Sequence, residues 1–181
     1  SAYNSLLESK NTELEQRVLN NENEVKSIGS VMLVAEPVFE RIVISYRDWE
    51  HKGNISSGKN VRTMSIRIKN EGNSPIYPDG FIFNIEGVCE LSNLWIESGN
   101  GSKLGEVINP ACEASVWIRL NQQIKIPENE SRDLVVYARI KDKLSSNDII
   151  GQRFRIILVA MTPTYSSVEG LQINGYEYTI E

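Results

Sequence analysis

The chain has 181 residues, of which 40% are hydrophobic and 24% charged, enough for a core of its own and opposed to overall disorder. A net charge of -5 excludes the basic field that draws in nucleic acid or anionic lipid, so neither is an expected partner. Two cysteines, Cys89 and Cys112, and one histidine, His51, fall short of the four ligands of a structural zinc site, and no cofactor is expected.

The first segment reads as a helix. From Asn4 to Ile28 the chain lacks proline and glycine and is rich in Glu, Leu, Lys and Gln, all good helix formers. Leu7, Asn11, Leu14, Val18, Asn21, Val25 and Ile28 follow the alternating four-and-three spacing of heptad core positions. The stripe is narrow, suited to another helix, so a short coiled coil with Leu7, Leu14, Val18, Val25 and Ile28 as its oligomerisation seam is expected. A single amphipathic helix lying on the domain is the alternative, because two asparagines weaken the seam. Gly29 and Ser30 end the helix. The expected division is a helix or coiled-coil stalk over 1–29 and a β-domain over 30–181.

From Val31 onward the period is two. Ile42, Ile44 and Tyr46 alternate with Arg41, Ser45 and Arg47, and Met64, Ile66 and Ile68 with Ser65, Arg67 and Lys69; Phe81, Phe83 and Ile85, then Val116, Ile118 and Leu120, keep the same spacing. Leu134 to Ile140, Phe154 to Leu158 and Tyr176 to Ile180 continue the pattern. Seven or eight short strands without helices between them predict a mainly β fold, a two-layer antiparallel sandwich. In "KNEGNSP" the reading is a hairpin-like turn with Gly72 at positive φ, and in "YPDG" a second reversal. The expected core comprises Ile42, Ile44, Ile66, Ile68, Phe83, Val116, Ile118, Val136, Ala138, Phe154, Ile156 and Leu158.

The order strand, "KNEGNSPI", strand, and later "IPENES" before "RDLVVYARI", resembles the extracytoplasmic immunoglobulin-like modules of prokaryotic surface proteins, CARDB-like domains and archaellum stator sandwiches among them. That resemblance implies an immunoglobulin-like fold, a periplasmic or extracellular location, and a role in adhesion or scaffolding with a protein partner. The helix would then be a stalk, and a membrane would be reached only through an anchor upstream of Ser1, an expectation suggested by the start at Ser1-Ala2-Tyr3. "NIS" at Asn54, "NGS" at Asn100 and "NES" at Asn129 match the glycosylation pattern, at a frequency that chance also produces.

Two cysteines fit either a disulfide in an oxidising compartment or two buried thiols in a reducing one. The expectation is that Cys89 and Cys112 pair, closing the connection between the strands that flank them. Catalysis is not expected. His51, in "RDWEHKGN", reads as a solvated loop residue rather than a base, and "ESGNGSKLG" lacks the ending of a phosphate-binding loop. Asp48, Glu50, Asp79, Glu86, Glu106 and Asp133 are carboxylates of the type a glycosidase pairs, but sit at turns and strand ends. Asp142, Asn147 and Asp148 read as a polar turn ahead of a calcium loop. Trp49 and Trp95 are a candidate binding surface, or else cover the end of the sandwich.

The function these readings favour is a non-catalytic envelope or surface protein that self-associates through its helix. The alternatives are a monomeric carbohydrate- or peptide-binding module and a virion or phage structural protein.

Overall fold

A computed structural model describes residues 10–20, 37–47, 52–88, 90–111 and 115–181. The chain divides into two compact units, Ser1–Pro37 and Val38–Glu181, against an expected boundary after residue 29. In the first unit residues 10–20 form a helix, α1, on which Leu14, Val18 and Leu19 are all more than half exposed. Leu7, Val25 and Ile28 of the expected seam lie outside the described residues, as do Trp49, His51, Cys89 and Cys112.

The second unit is mainly β. One sheet holds β1 (Ile42–Tyr46), β3 (Asn60–Asn70), β5 (Leu91–Ser98), β6 (Lys103–Ile108), β8 (Ser131–Ile140) and β10 (Val168–Glu169), in the order β10-β1-β3-β8-β5-β6. The other has the order β2-β12-β9-β4-β7, from β2 (Lys52–Ile55), β4 (Gly80–Gly87), β7 (Val116–Arg119), β9 (Arg153–Thr162) and β12 (Glu177–Ile180), with β11 (Ile173–Asn174) also paired to β9. Inward-facing residues of both sheets form one hydrophobic cluster, in which Ile66 and Val136 belong to one sheet and Phe83 and Ile156 to the other.

All twelve residues expected in the core are buried, because strand alternation is a local property that survives whichever partner the strand finds. On β8 the pattern is strict: Leu134, Val136, Ala138 and Ile140 are buried and the residues between them are not. Tyr46, by contrast, is 40% exposed at the end of β1.

The wholly antiparallel arrangement is corrected. β1 pairs with β10 in parallel, and β2 pairs with β12 in parallel, so both sheets are mixed. The cause is the path of the chain. Nearly every connection changes sheet, β5–β6 being a hairpin within one, so the last strands return beside the first two running the same way. At this return Gly170 has φ +82, and a Cβ there would stand 2.0 Å from the Ile44 carbonyl oxygen. Only glycine allows that approach.

"KNEGNSP" is likewise corrected. Since β3 and β4 belong to different sheets, the segment is a crossover and not a hairpin. Gly72 is outside the positive-φ residues. What it requires is space, since a Cβ would lie 2.4 Å from the Phe39 carbonyl oxygen. "YPDG" is no tight turn either: the Asp79 N–H donates to the Thr162 carbonyl at 2.8 Å, and its own carbonyl accepts from the Leu120 N–H at 2.7 Å.

Phe154 is 2% exposed and its ring stacks on Tyr178 at 5.8 Å. Phe154→Ala should cost about 3–5 kcal/mol through lost burial and a residual cavity. Denaturant titration checks this: the midpoint falls with an unchanged slope, and a loss below about 1 kcal/mol would place the ring outside the core.

Candidate functional site

An open groove of about 770 Å³ lies where β8 begins. Two stretches remote in sequence build most of it. The β5–β6 turn contributes Ser98, Asn100 and Ser102; the connection from β7 to β8 contributes Gln122, Gln123 and Lys125; and β8 contributes Arg132 and Asp133. Arg47, just beyond β1, completes the rim. Leu104, Ile124 and Leu134 form its floor.

Each wall is held by backbone bonds. In the β5–β6 turn the Ser98 N–H donates to the Ser102 carbonyl at 2.9 Å, and the Gly99 N–H donates to the Asp133 carbonyl at 2.9 Å, tying the turn to β8. Asn100 Oδ1 accepts from the Ser102 N–H at 3.1 Å and from the Ser98 hydroxyl. On the opposite wall the Asn121 N–H reaches the Leu104 carbonyl at 2.7 Å and the Ile124 N–H the Pro78 carbonyl at 3.1 Å.

Charge in the groove is organised around Asp133. Arg67, directly across the ladder from it, donates to both carboxylate oxygens at 2.8 and 3.1 Å, and Arg47 lies 3.0 Å away. The Arg67 hydrogen bonds, against a smaller opposing push from burial, hold the Asp133 carboxyl below the ordinary aspartate range. Asp133 therefore stays ionised and fixes Arg47, while Lys125 and Arg132 add two more exposed cations.

Other carboxylates considered for glycosidase chemistry are clamped in the same sense. Glu86 is lowered by its bond from Arg155, and Glu106 by Asn93 at 2.7 Å and Lys103 at 3.2 Å. A general acid needs the opposite shift. Asp79 has a buried Oδ1 with no hydrogen-bond partner among the described residues, and Asp48 and Glu50 lie outside them. In the candidate calcium loop Asp142 pairs with Arg139 at 2.8 Å, and Asn147 and Asp148 open a short 3-10 turn, Asn147–Ile149, capped by Ser146. Among the described residues no three His, Cys, Asp or Glu side chains are grouped to hold a metal ion.

Trp95 corrects its own placement. Offered by the sequence as a binding surface, it sits on β5 only 8% exposed, stacked on Tyr137 at 5.4 Å with the Lys103 ammonium 5.2 Å from its ring centre. Its indole N–H donates to Glu97 at 2.8 Å, so its polar handle is also used. Trp117, on β7, is half exposed. Of the groove residues the sequence singles out only Asp133, as a carboxylate, and Asn100, as a glycosylation match; the signal available for the rest is the polar run "NQQIK" between two strands.

No family model matches the sequence, and no curated protein matches it. Among solved structures the chain is similar to AvmM, described as catalysing macrocyclization in Alchivemycin A biosynthesis, at a TM-score of 0.37 and 14% identity over 78% of this chain and 89% of that one. It is also similar to the Pseudomonas fluorescens alkylpurine DNA glycosylase AlkC, at 0.40 and 10%, over 84% of this chain and 33% of that one. A third is a family 123 glycoside hydrolase from Clostridium perfringens, at 0.32 and 11%, over 79% and 27%. Likeness at this level identifies neither a family nor an activity.

Because the Asp133 pKa is depressed in the folded state, its contribution to stability is present above the ordinary carboxylate pKa of about 4 and lost as the pH falls through the lowered value. Asp133→Asn should therefore lower Tm at neutral pH and flatten the acid limb of its pH dependence. Melting curves across the acid range check this; parallel curves for both proteins would mean the ion cluster adds no stability.

Proposed function

We propose that this chain is a non-catalytic binding protein in which an N-terminal helical stalk carries an immunoglobulin-like sandwich, two sheets with strands exchanged between them around one core. The observation that carries the reading is the state of the groove's one carboxylate: Asp133 is locked in ion pairs with Arg47 and Arg67 that keep it ionised, which suits recognition and not proton transfer. The resemblance in turn chemistry to prokaryotic surface modules supports an envelope or extracellular setting and a protein partner.

Support for the stalk comes from α1. Leu14 and Val18, four residues apart and so on one helix face, are 59% and 55% exposed. A helix of this composition is marginal in water without a partner for its apolar stripe. The second copy of the chain supplies one, Leu14 and Val18 lying at alternate rows of the seam.

Replacing Leu14 and Val18 together with glutamate should convert an oligomer to a monomer in analytical ultracentrifugation while leaving the thermal transition of the β-domain unchanged. A monomer for the unsubstituted chain at high concentration would defeat the stalk reading. A lowered β-domain transition at constant mass would instead indicate that the helix serves the domain itself.

A further inference from the structure

We propose that the groove at the start of β8 recognises an acidic saccharide, a uronate-bearing oligosaccharide. This rests on the reading of the domain as a non-catalytic binder and names its ligand class.

The argument begins with charge. The whole chain carries -5, yet the groove brings together Arg47, Lys125 and Arg132 with a single carboxylate, Asp133. That carboxylate is already matched by Arg67, so the rim keeps a local excess of cation. An anionic group entering there gains charge-assisted hydrogen bonds, and a guanidinium offers a carboxylate a planar pair of donors. Arg47 is oriented for this in advance, because its bond to Asp133 occupies only part of its five N–H donors.

The remaining walls select for hydroxyls. Ser102, Gln122 and Gln123 present groups that donate and accept, as the hydroxyls of a sugar do, and Asn100 keeps its amide N–H donors beside the bonds its oxygen accepts. The volume, about 770 Å³, lies in the ordinary range of ligand sites, and the open sides let a chain of sugars run through. An acidic peptide is a poorer fit. Arginine clusters do read acidic peptide motifs, but a peptide is also held through its main chain, and here the wall backbone at Ser98, Gly99 and Asn121 is already bonded and offers it no free strand edge. Nucleic acid would want aromatic stacking platforms, which the groove also lacks.

Calorimetric titration of the full chain with tri-galacturonate tests this, with neutral cello-oligosaccharide and poly-glutamate as comparators. The expected result is binding of the uronate that weakens as salt is raised, with weak or no binding of the neutral sugar. The double variant Lys125→Gln, Arg132→Gln should lose tenfold or more in affinity at an unchanged Tm, both side chains being exposed. Arg132→Lys should restore part of the loss. Equal binding of neutral sugar, tighter binding of poly-glutamate, or no binding of any probe would overturn the saccharide assignment. Cleavage of the bound uronate, followed by chromatography, would leave saccharide recognition standing and overturn the non-catalytic reading instead.

Discussion

The fold turns on the side chain of Asn70. At the last position of β3 the chain leaves one sheet for the other, and the ladder that satisfied its backbone ends. Asn70 is fully buried there, and its amide nitrogen donates to the carbonyls of Ser74 at 2.8 Å, Ile126 at 3.1 Å and Pro127 at 3.2 Å. Its oxygen accepts from the Gly72 N–H at 3.0 Å, and its own N–H reaches the Glu130 carbonyl at 2.9 Å. One side chain thus does for an irregular crossover what a neighbouring strand does for a ladder. Buried polar groups left unpaired cost on the order of 1–3 kcal/mol each, so this cluster outweighs any surface ion pair in the molecule.

Its reach extends to the groove. Ile126 and Pro127, which Asn70 holds, directly follow Lys125, and Ile76 and Ile126 bond to each other through both backbone groups at 3.0 Å. The wall carrying Gln122, Gln123 and Lys125 is therefore pinned at Pro78, Ile76 and Asn70, all parts of the β3–β4 crossover. Asp133 does the corresponding work on the other side, where its carbonyl anchors the β5–β6 turn and its carboxylate orients Arg47. A groove whose backbone is fixed from both sides spends little on ordering its loops on binding, one of the costs that otherwise reduce affinity.

What could be read from the sequence follows the range of the interaction. Strand alternation is set by adjacent residues, and the core residues chosen from it are buried. β5 carries no such signal because Leu94, Trp95 and Ile96 are buried in succession and the register shifts between Leu91 and Asn93, so the period of two is lost there. Its neighbour β6 is too short and too polar to stand out, so from sequence the pair reads as connection between Phe81–Ile85 and Val116–Leu120. Turn chemistry is legible at "KNEGNSP", but turn residues fix a local bend and carry no information on which sheet receives the next strand. The parallel pairs β1–β10 and β2–β12 join residues more than a hundred positions apart, and no local signal announces them.

The groove was illegible for the same reason, and more completely. Arg47, Asn100, Lys125 and Arg132 are unremarkable singly, each a polar residue at the end of a strand or in a turn. They acquire meaning only when the exchange of strands between sheets brings three connections to one end of the domain. Trp95 illustrates the converse. Read alone it suggested a platform for ligands, yet in place it lies beneath the Tyr137 ring and the Lys103 ammonium, a residue that stiffens the β5–β6 hairpin from its outer face. That hairpin carries Ser98, Asn100 and Ser102 at its tip. The aromatic residue thus serves the site through the rigidity of the strand pair behind it, and the polar tip is what a ligand would meet.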